Sequence, residues 1–160
     1  LPHTLRWRMI AATSRDNART PFQWESGEGA GFTTGRPWLG INHNCKDINL
    51  AAQEEDPGSL WHWYQDLIAL RREKKVLRRG AFIPLEKGEQ VFAYRRELPG
   101  QESLTIVLNF SDKTATTACK GTVLRCNYSR EEFDGTLRPW EAVILAWAAC
   151  MRPAPIRREL

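Results

Sequence analysis

With 160 residues, 42% of them hydrophobic and 26% charged, the chain has the composition of a soluble globular protein large enough for one ordinary core. No stretch reaches the ~20 apolar residues that a membrane span needs. The net charge of +4 is scattered along the chain, and its densest runs, RREKK and RRG, sit at the end of a predicted helix, which argues against a nucleic-acid-binding face.

The opening residues, LPHTLRWRMI, lack the apolar core and cleavage site of a secretory signal and carry no initiator methionine. We therefore expect more chain before them. Up to about Leu50 the sequence is rich in Gly, Pro, Asn and aromatics and shows no sustained period. SRDNARTPFQW, from Ser14 to Trp24, sets two arginines around an Asp-Asn pair and closes on a proline followed by aromatics. SGEGAGFTTGRPW then reads as turn chemistry throughout, four glycines and a proline allowing backbone conformations that other residues avoid. A long irregular segment of this kind inside a compact domain points to a functional surface.

A helix follows. Asp56 is the candidate N-cap and Pro57 the first helical position, and Leu60, Trp63, Tyr64, Leu67 and Ile68 recur at helical spacing. Trp61 and Leu70 widen the apolar face, so the helix, expected from Pro57 to Lys75, must pack under something large. Gly80 is placed to end the helical region. Five β-branched or aromatic runs come next: AFIPL, QVFAYRRE, SLTIVLNFS, TVLRCNY and EAVILAW. Turn pairs at Lys87-Gly88, Pro99-Gly100 and Asp134-Gly135 separate several of them, as in a small antiparallel sandwich. MRPAPIRREL reads as a loose tail. A loop, one broad amphipathic helix and a sandwich make a poor complete fold, which again predicts missing chain on the N-terminal side.

The four cysteines, Cys45, Cys119, Cys126 and Cys150, form no CxxC and have no histidine at metal spacing. They read as free buried thiols in a reducing compartment, in preference to a Cys119–Cys126 bridge across a hairpin. No metal and no cofactor is expected. Asp16, Glu25, Glu28 and Asp47 show no spacing that singles out a catalytic pair, and His3, His43 and His62 lie away from any nucleophile context. Arg15 and Arg19 are of more interest: a guanidinium fork can grip vicinal hydroxyls, or it can shape the loop by pairing with a carboxylate such as Asp16. Phe22, Trp24, Phe32 and Trp38 could stack on sugar rings; for Trp24 and Trp38 we expect a small core within the loop.

SRDNARTPFQW, AGFTTGRPWL, INHNCKDINL, DPGSLWHWYQDLIALRREKKVL, EQVFAYRRE and IVLNFS, taken together, resemble consecutive pieces of the C-terminal third of bacterial α-glucosidases. These belong to the α-amylase-type family 13 glycoside hydrolases: oligo-1,6-glucosidases, dextran glucosidases, trehalose-6-phosphate hydrolases and sucrose isomerases. The likeness runs from about Ser14 to Trp147. It implies an α+β fragment, with residues 1–78 supplying the last loop and helix of a (β/α)8 barrel, 79–148 an antiparallel β-sandwich, and 149–160 a tail. It also implies that the catalytic acids lie on earlier strands, so that this chain alone is inactive. The implied partner is an α-linked gluco-oligosaccharide or disaccharide; from the charge pattern, the lack of a long apolar stretch and the cysteines we expect no nucleic acid, no membrane and a cytoplasmic location. Arg15 matches a family arginine that hydrogen-bonds hydroxyls of the transferred glucosyl unit, and Arg19 a second arginine of the same loop. Asp16, Asn17 and Trp24 would structure that loop. Phe22 stands where Met is common and Cys45 where Tyr is common. The alternative is a stand-alone, non-catalytic carbohydrate-binding or interaction module.

Overall fold

A computed structural model describes residues 3–13 and 18–150. The chain divides into two compact units, Leu1–Asp66 and Leu67–Leu160, with the division falling inside a helix.

The first unit is mostly irregular, as its composition demands. Helix α1 spans His3–Thr13 and α2 spans Leu50–Glu55. Short 3-10 turns at Glu28–Gly31 and His43–Lys46 lie between them. Neither helix was expected. HTLRWRMIAAT has no apolar stripe at helical period, and α2 is too short for periodicity to register. What starts α2 is a cap: the Asn49 side-chain oxygen accepts a hydrogen bond from Ala52 N–H at 2.9 Å, while its amide donates to Cys45 O at 2.9 Å.

Helix α3 runs over Leu60–Glu73, three residues later than expected. Asp56 is not its N-cap. The Asp56 carboxylate instead accepts from Gly58 N–H at 2.9 Å, closing a turn that keeps Pro57 and Gly58 outside the helix. Ser59 takes the capping position, with its hydroxyl oxygen accepting from His62 N–H at 3.4 Å and its carbonyl from Trp63 N–H at 3.1 Å. His62 is held there too, its Nδ1 lying 2.9 Å from Asp56 O and 3.1 Å from Ser59 Oγ. The broad apolar face of α3 is covered only in part. Leu70 is buried, whereas Leu60, Tyr64 and Ile68, one turn apart, are 70%, 65% and 47% exposed.

In the second unit a short helix α4, Lys75–Arg79, ends at Gly80, whose N–H bonds Val76 O at 2.9 Å. Gly80 is required by close approach, not by a left-handed turn: its φ is −64°. A Cβ there would meet Val76 O at 2.4 Å and Glu97 O at 2.9 Å. All five expected strands are present: β1 Ala81–Lys87, β2 Val91–Glu97, β3 Leu104–Asn109, β5 Lys120–Cys126 and β8 Ala142–Ala149. Three two-residue strands join them: β4 Ala115–Thr116, β6 Glu132–Phe133 and β7 Thr136–Leu137. The main sheet has the order β1-β2-β3-β8-β5-β6, and β4 pairs with β7 in a separate ribbon. Every pairing is antiparallel. Pro84 is tolerated because β1 is an edge strand and its register slips next to that residue.

Alternation along β2 works as its sequence predicts. Val91 and Ala93 enter the core with Val107, Val143 and Leu145, and the ribbon adds Ala115 and Leu137. Phe92 and Tyr94 face the other way, in contact with Phe82.

The cysteine reading is corrected. Cys119 and Cys150 are joined by a disulfide, one residue pair beyond Lys120↔Ala149 in the β5–β8 ladder, and only Cys45 and Cys126 are free. Cys119 and Cys150 are 31 residues apart in the chain, a pairing that the sequence reading did not weigh. Only the strand register makes them neighbours. The thiol argument for a reducing compartment falls with it. Cys126 is the inert kind of thiol. Burial pushes its pKa from 9.0 up to about 11, aided by the Glu141 carboxylate and opposed by the Tyr128 N–H and Arg130. Iodoacetamide at pH 8 should therefore modify Cys126 roughly a hundredfold more slowly than an ordinary thiol, as followed by mass spectrometry of its peptide. Because the fold favours the protonated thiol, its contribution to stability is whole below pH 9 and lost as pH rises through about 11.

Candidate functional site

The candidate loop is anchored from behind. Pro21 is buried, and the residues after it are hydrogen-bonded to the start of α2. Leu50 N–H bonds Gln23 O at 2.9 Å, and Ala51 N–H bonds Trp24 O at 3.0 Å. The Gln23 side-chain amide donates to Ile48 O. Asn42 Nδ2 reaches Thr20 Oγ1 at 3.4 Å. Of these, Thr20, Pro21, Gln23, Asn42, Ile48 and Leu50 line a cavity of about 250 Å³, together with Phe22, Asn49 and Gln53.

In front of this anchor the glycine-rich segment folds back. Trp24 N–H bonds Ala30 O at 2.9 Å, and Glu25 N–H shares the same oxygen at 3.4 Å. Gly29, Ala30 and Gly31 are all left-handed, with φ of 71°, 49° and 66°. Ala30 is a strained choice there, yet it is 0% exposed and its carbonyl is used twice. A side chain at Gly31 would be strained, since its φ is left-handed and a Cβ would come to 3.0 Å from both Trp24 Cβ and Glu25 Cγ. Trp24 is tied into the loop by its main chain, through its N–H to Ala30 O and its carbonyl to Ala51 N–H. Its indole is 49% exposed and meets the Phe22 ring edge-on, centroids 4.7 Å apart.

Of the residues singled out in the sequence, Arg15, Asp16 and Asn17 lie outside the described residues. Arg19 is exposed, and its side chain has no hydrogen-bond or ion-pair partner among the described residues. The expectation of a small aromatic core does not hold for Trp24 or Trp38, which are 49% and 85% exposed, and Phe32 is half-exposed as well. The sequence reading missed Asn49 and Gln53. Asn49 is buried, and Gln53 accepts from Trp61 N–H at 3.2 Å and from Ser59 Oγ at 2.6 Å. An Asn directly before LAAQEE was a legible capping signal. Among the described residues no three His, Cys, Asp or Glu side chains converge on a metal site, and no helix is long and apolar enough to cross a membrane.

The alpha-amylase catalytic-domain family matches residues 4–80, the part of the chain that contains this loop and α3. An oligo-1,6-glucosidase of Halalkalibacterium halodurans is 40% identical over 155 residues, 89% of this chain and 27% of that protein. The chain is a relative of the alpha-amylase-family α-glucosidases. The trehalose-6-phosphate hydrolase of Escherichia coli is 43% identical over 104 residues, 64% of this chain and 19% of its own length. Among solved structures, the trehalulose synthase of Pseudomonas mesoacidophila superposes with a TM-score of 0.76 at 35% identity, over 84% of this chain and 26% of the synthase. The chain therefore spans about a quarter of the length of the relatives it matches.

Proposed function

We propose that this chain is the C-terminal portion of a retaining α-glucosidase that hydrolyses α-glucosidic bonds in oligosaccharides. In this reading residues 1–78 supply the last loop and helix of a (β/α)8 barrel, residues 79–148 form a C-terminal β-sandwich domain, and 149–160 are a tail. Retaining hydrolysis needs two carboxyl groups about 5 Å apart across the scissile bond, and these would come from earlier strands. The chain itself contributes substrate contacts, from Arg15 and Arg19, on a loop made rigid by Asp16, Asn17 and Trp24. The observation that carries the reading is the loop itself, a rigid, doubly hydrogen-bonded turn behind SRDNARTPFQW, in the segment matched by the catalytic-domain family. The exposed stripe of Leu60, Tyr64 and Ile68 supports it, since an apolar helix face of that kind belongs beneath further structure.

The second reading is a stand-alone carbohydrate-binding module. It is favoured by the second unit, which has a closed core of its own. Reading the coding sequence upstream of Leu1 separates the two. An open frame of several hundred residues bearing the paired acids is the expected result. A start or stop codon within a few codons would leave the module, and the purified chain would then bind saccharide without cleaving an α-glucoside.

A further inference from the structure

A second cavity, of about 660 Å³, opens in the first unit on the glycine-rich turn, lined by Glu28, Thr33, Thr34, Arg36, Pro37 and Ile41. Its size is that of a small-ligand site. We propose that it binds one ring of a neutral, α-linked gluco-oligosaccharide, as a saccharide site separate from the cavity behind Phe22. This rests on the α-glucosidase reading for the class of ligand, and on the lining for the rest.

The lining offers what a hydroxylated ring requires. Arg36 brings a planar fork of donors and Glu28 a pair of acceptor oxygens, so both halves of a hydroxyl's hydrogen-bonding can be met. Neither side chain has a hydrogen bond or an ion pair among the described residues, so neither is committed to holding the loop. Thr33 is partly committed: its Oγ1 accepts from Gly35 N–H at 3.0 Å, which orients the hydroxyl and leaves its proton to donate. Pro37 and Ile41 are half-buried and give the apolar C–H face of a sugar ring a surface to rest on. The frame is stiff. Gly29, Ala30 and Gly31 are locked left-handed by the bonds to Ala30 O, and Glu28 and Thr33 flank that turn on either side. A carboxylate in the same cavity as Arg36 disfavours a phosphorylated sugar, whose charge Glu28 would repel.

The test is a titration of the full, isotope-labelled chain with maltotriose and isomaltotriose, following amide shifts. Saturable shifts at residues 28–41 are expected, with affinity falling at least about tenfold in Arg36→Gln and in Glu28→Gln, since each removes a charge-assisted hydrogen bond. Both side chains are exposed, so the variants should keep the wild-type spectrum elsewhere. No saturable shift there up to about 50 mM, where an ordinary millimolar site is well populated, overturns the proposal. So do shifts confined to the cavity behind Phe22, or affinity unchanged in both variants. Tighter binding of glucose 6-phosphate than of the neutral sugars also overturns it. None of these outcomes touches the α-glucosidase reading, which stands or falls on the paired acids upstream.

Discussion

Replacing Glu141 with alanine should lower the unfolding free energy by about 3–5 kcal/mol, the usual cost of removing one partner from a buried ion pair. Glu141 is 0% exposed and sits immediately before β8. Its carboxylate accepts from Arg130 Nε at 3.0 Å, from Arg138 N–H at 2.6 Å and from the Cys126 thiol at 3.2 Å. Three separate stretches of the β-domain thus converge on one side chain. Its main chain is used as well, the carbonyl accepting from Asn109 N–H at 2.9 Å. Alanine would strand the Arg130 guanidinium, whose side chain is 15% exposed, and leave the Arg138 N–H without its partner. Glu141→Gln separates charge from hydrogen bonding. It can still accept from Arg138 and should lose clearly less than alanine. Urea unfolding at neutral pH reads both, as a fall in midpoint at constant slope. A loss under about 1 kcal/mol in the alanine variant would mean that this cluster does not anchor the domain.

That cluster could not be read in advance, and the reason is physical. Glu141 lies beside Trp140 in a turn-like stretch, and nothing in RPWEAV marks its acid as buried. Its partners come from 3 to 15 residues away and meet only once β5, β6 and β8 are in register. The same holds for Cys119 and Cys150, which the β5–β8 ladder brings together. By contrast, what depended on local pattern was legible. The long strands announce themselves by alternation and by β-branched and aromatic content, and α3 by its 3.6-residue period. The two-residue strands β4, β6 and β7 are too short for any pattern, and α1 has none. The start of α3 was misplaced because Asp56 and Ser59 are both good caps. Asp56 lost to the turn that its own carboxylate closes with Gly58 N–H. In the loop, the glycines pointed to backbone conformations that other residues avoid, and Gly29, Ala30 and Gly31 are left-handed. The burial of its aromatics was misjudged, because glycine-rich backbone covers little.

Arg15→Ala, made in the intact enzyme that the proposed function implies, should lower kcat/KM well beyond tenfold. The reasoning starts from the guanidinium. Its planar donors can engage two neighbouring hydroxyls of the glucosyl unit at once, and bonds to a charged donor are worth more than neutral ones. Positive charge develops on the sugar during glycosyl transfer, so a nearby cation stabilises nothing through charge alone. Its value lies in holding the ring in the geometry the transition state needs. The loss should therefore appear in kcat as well as KM, and Arg15→Lys should recover little, because an ammonium offers no fork. Arg19→Ala, at the neighbouring position of the loop, should cost less and act mainly on KM. A purified Arg15→Ala enzyme that folds normally and keeps kcat/KM within about twofold would remove Arg15 from the substrate site. It would also leave Arg15 with a role in shaping the loop only.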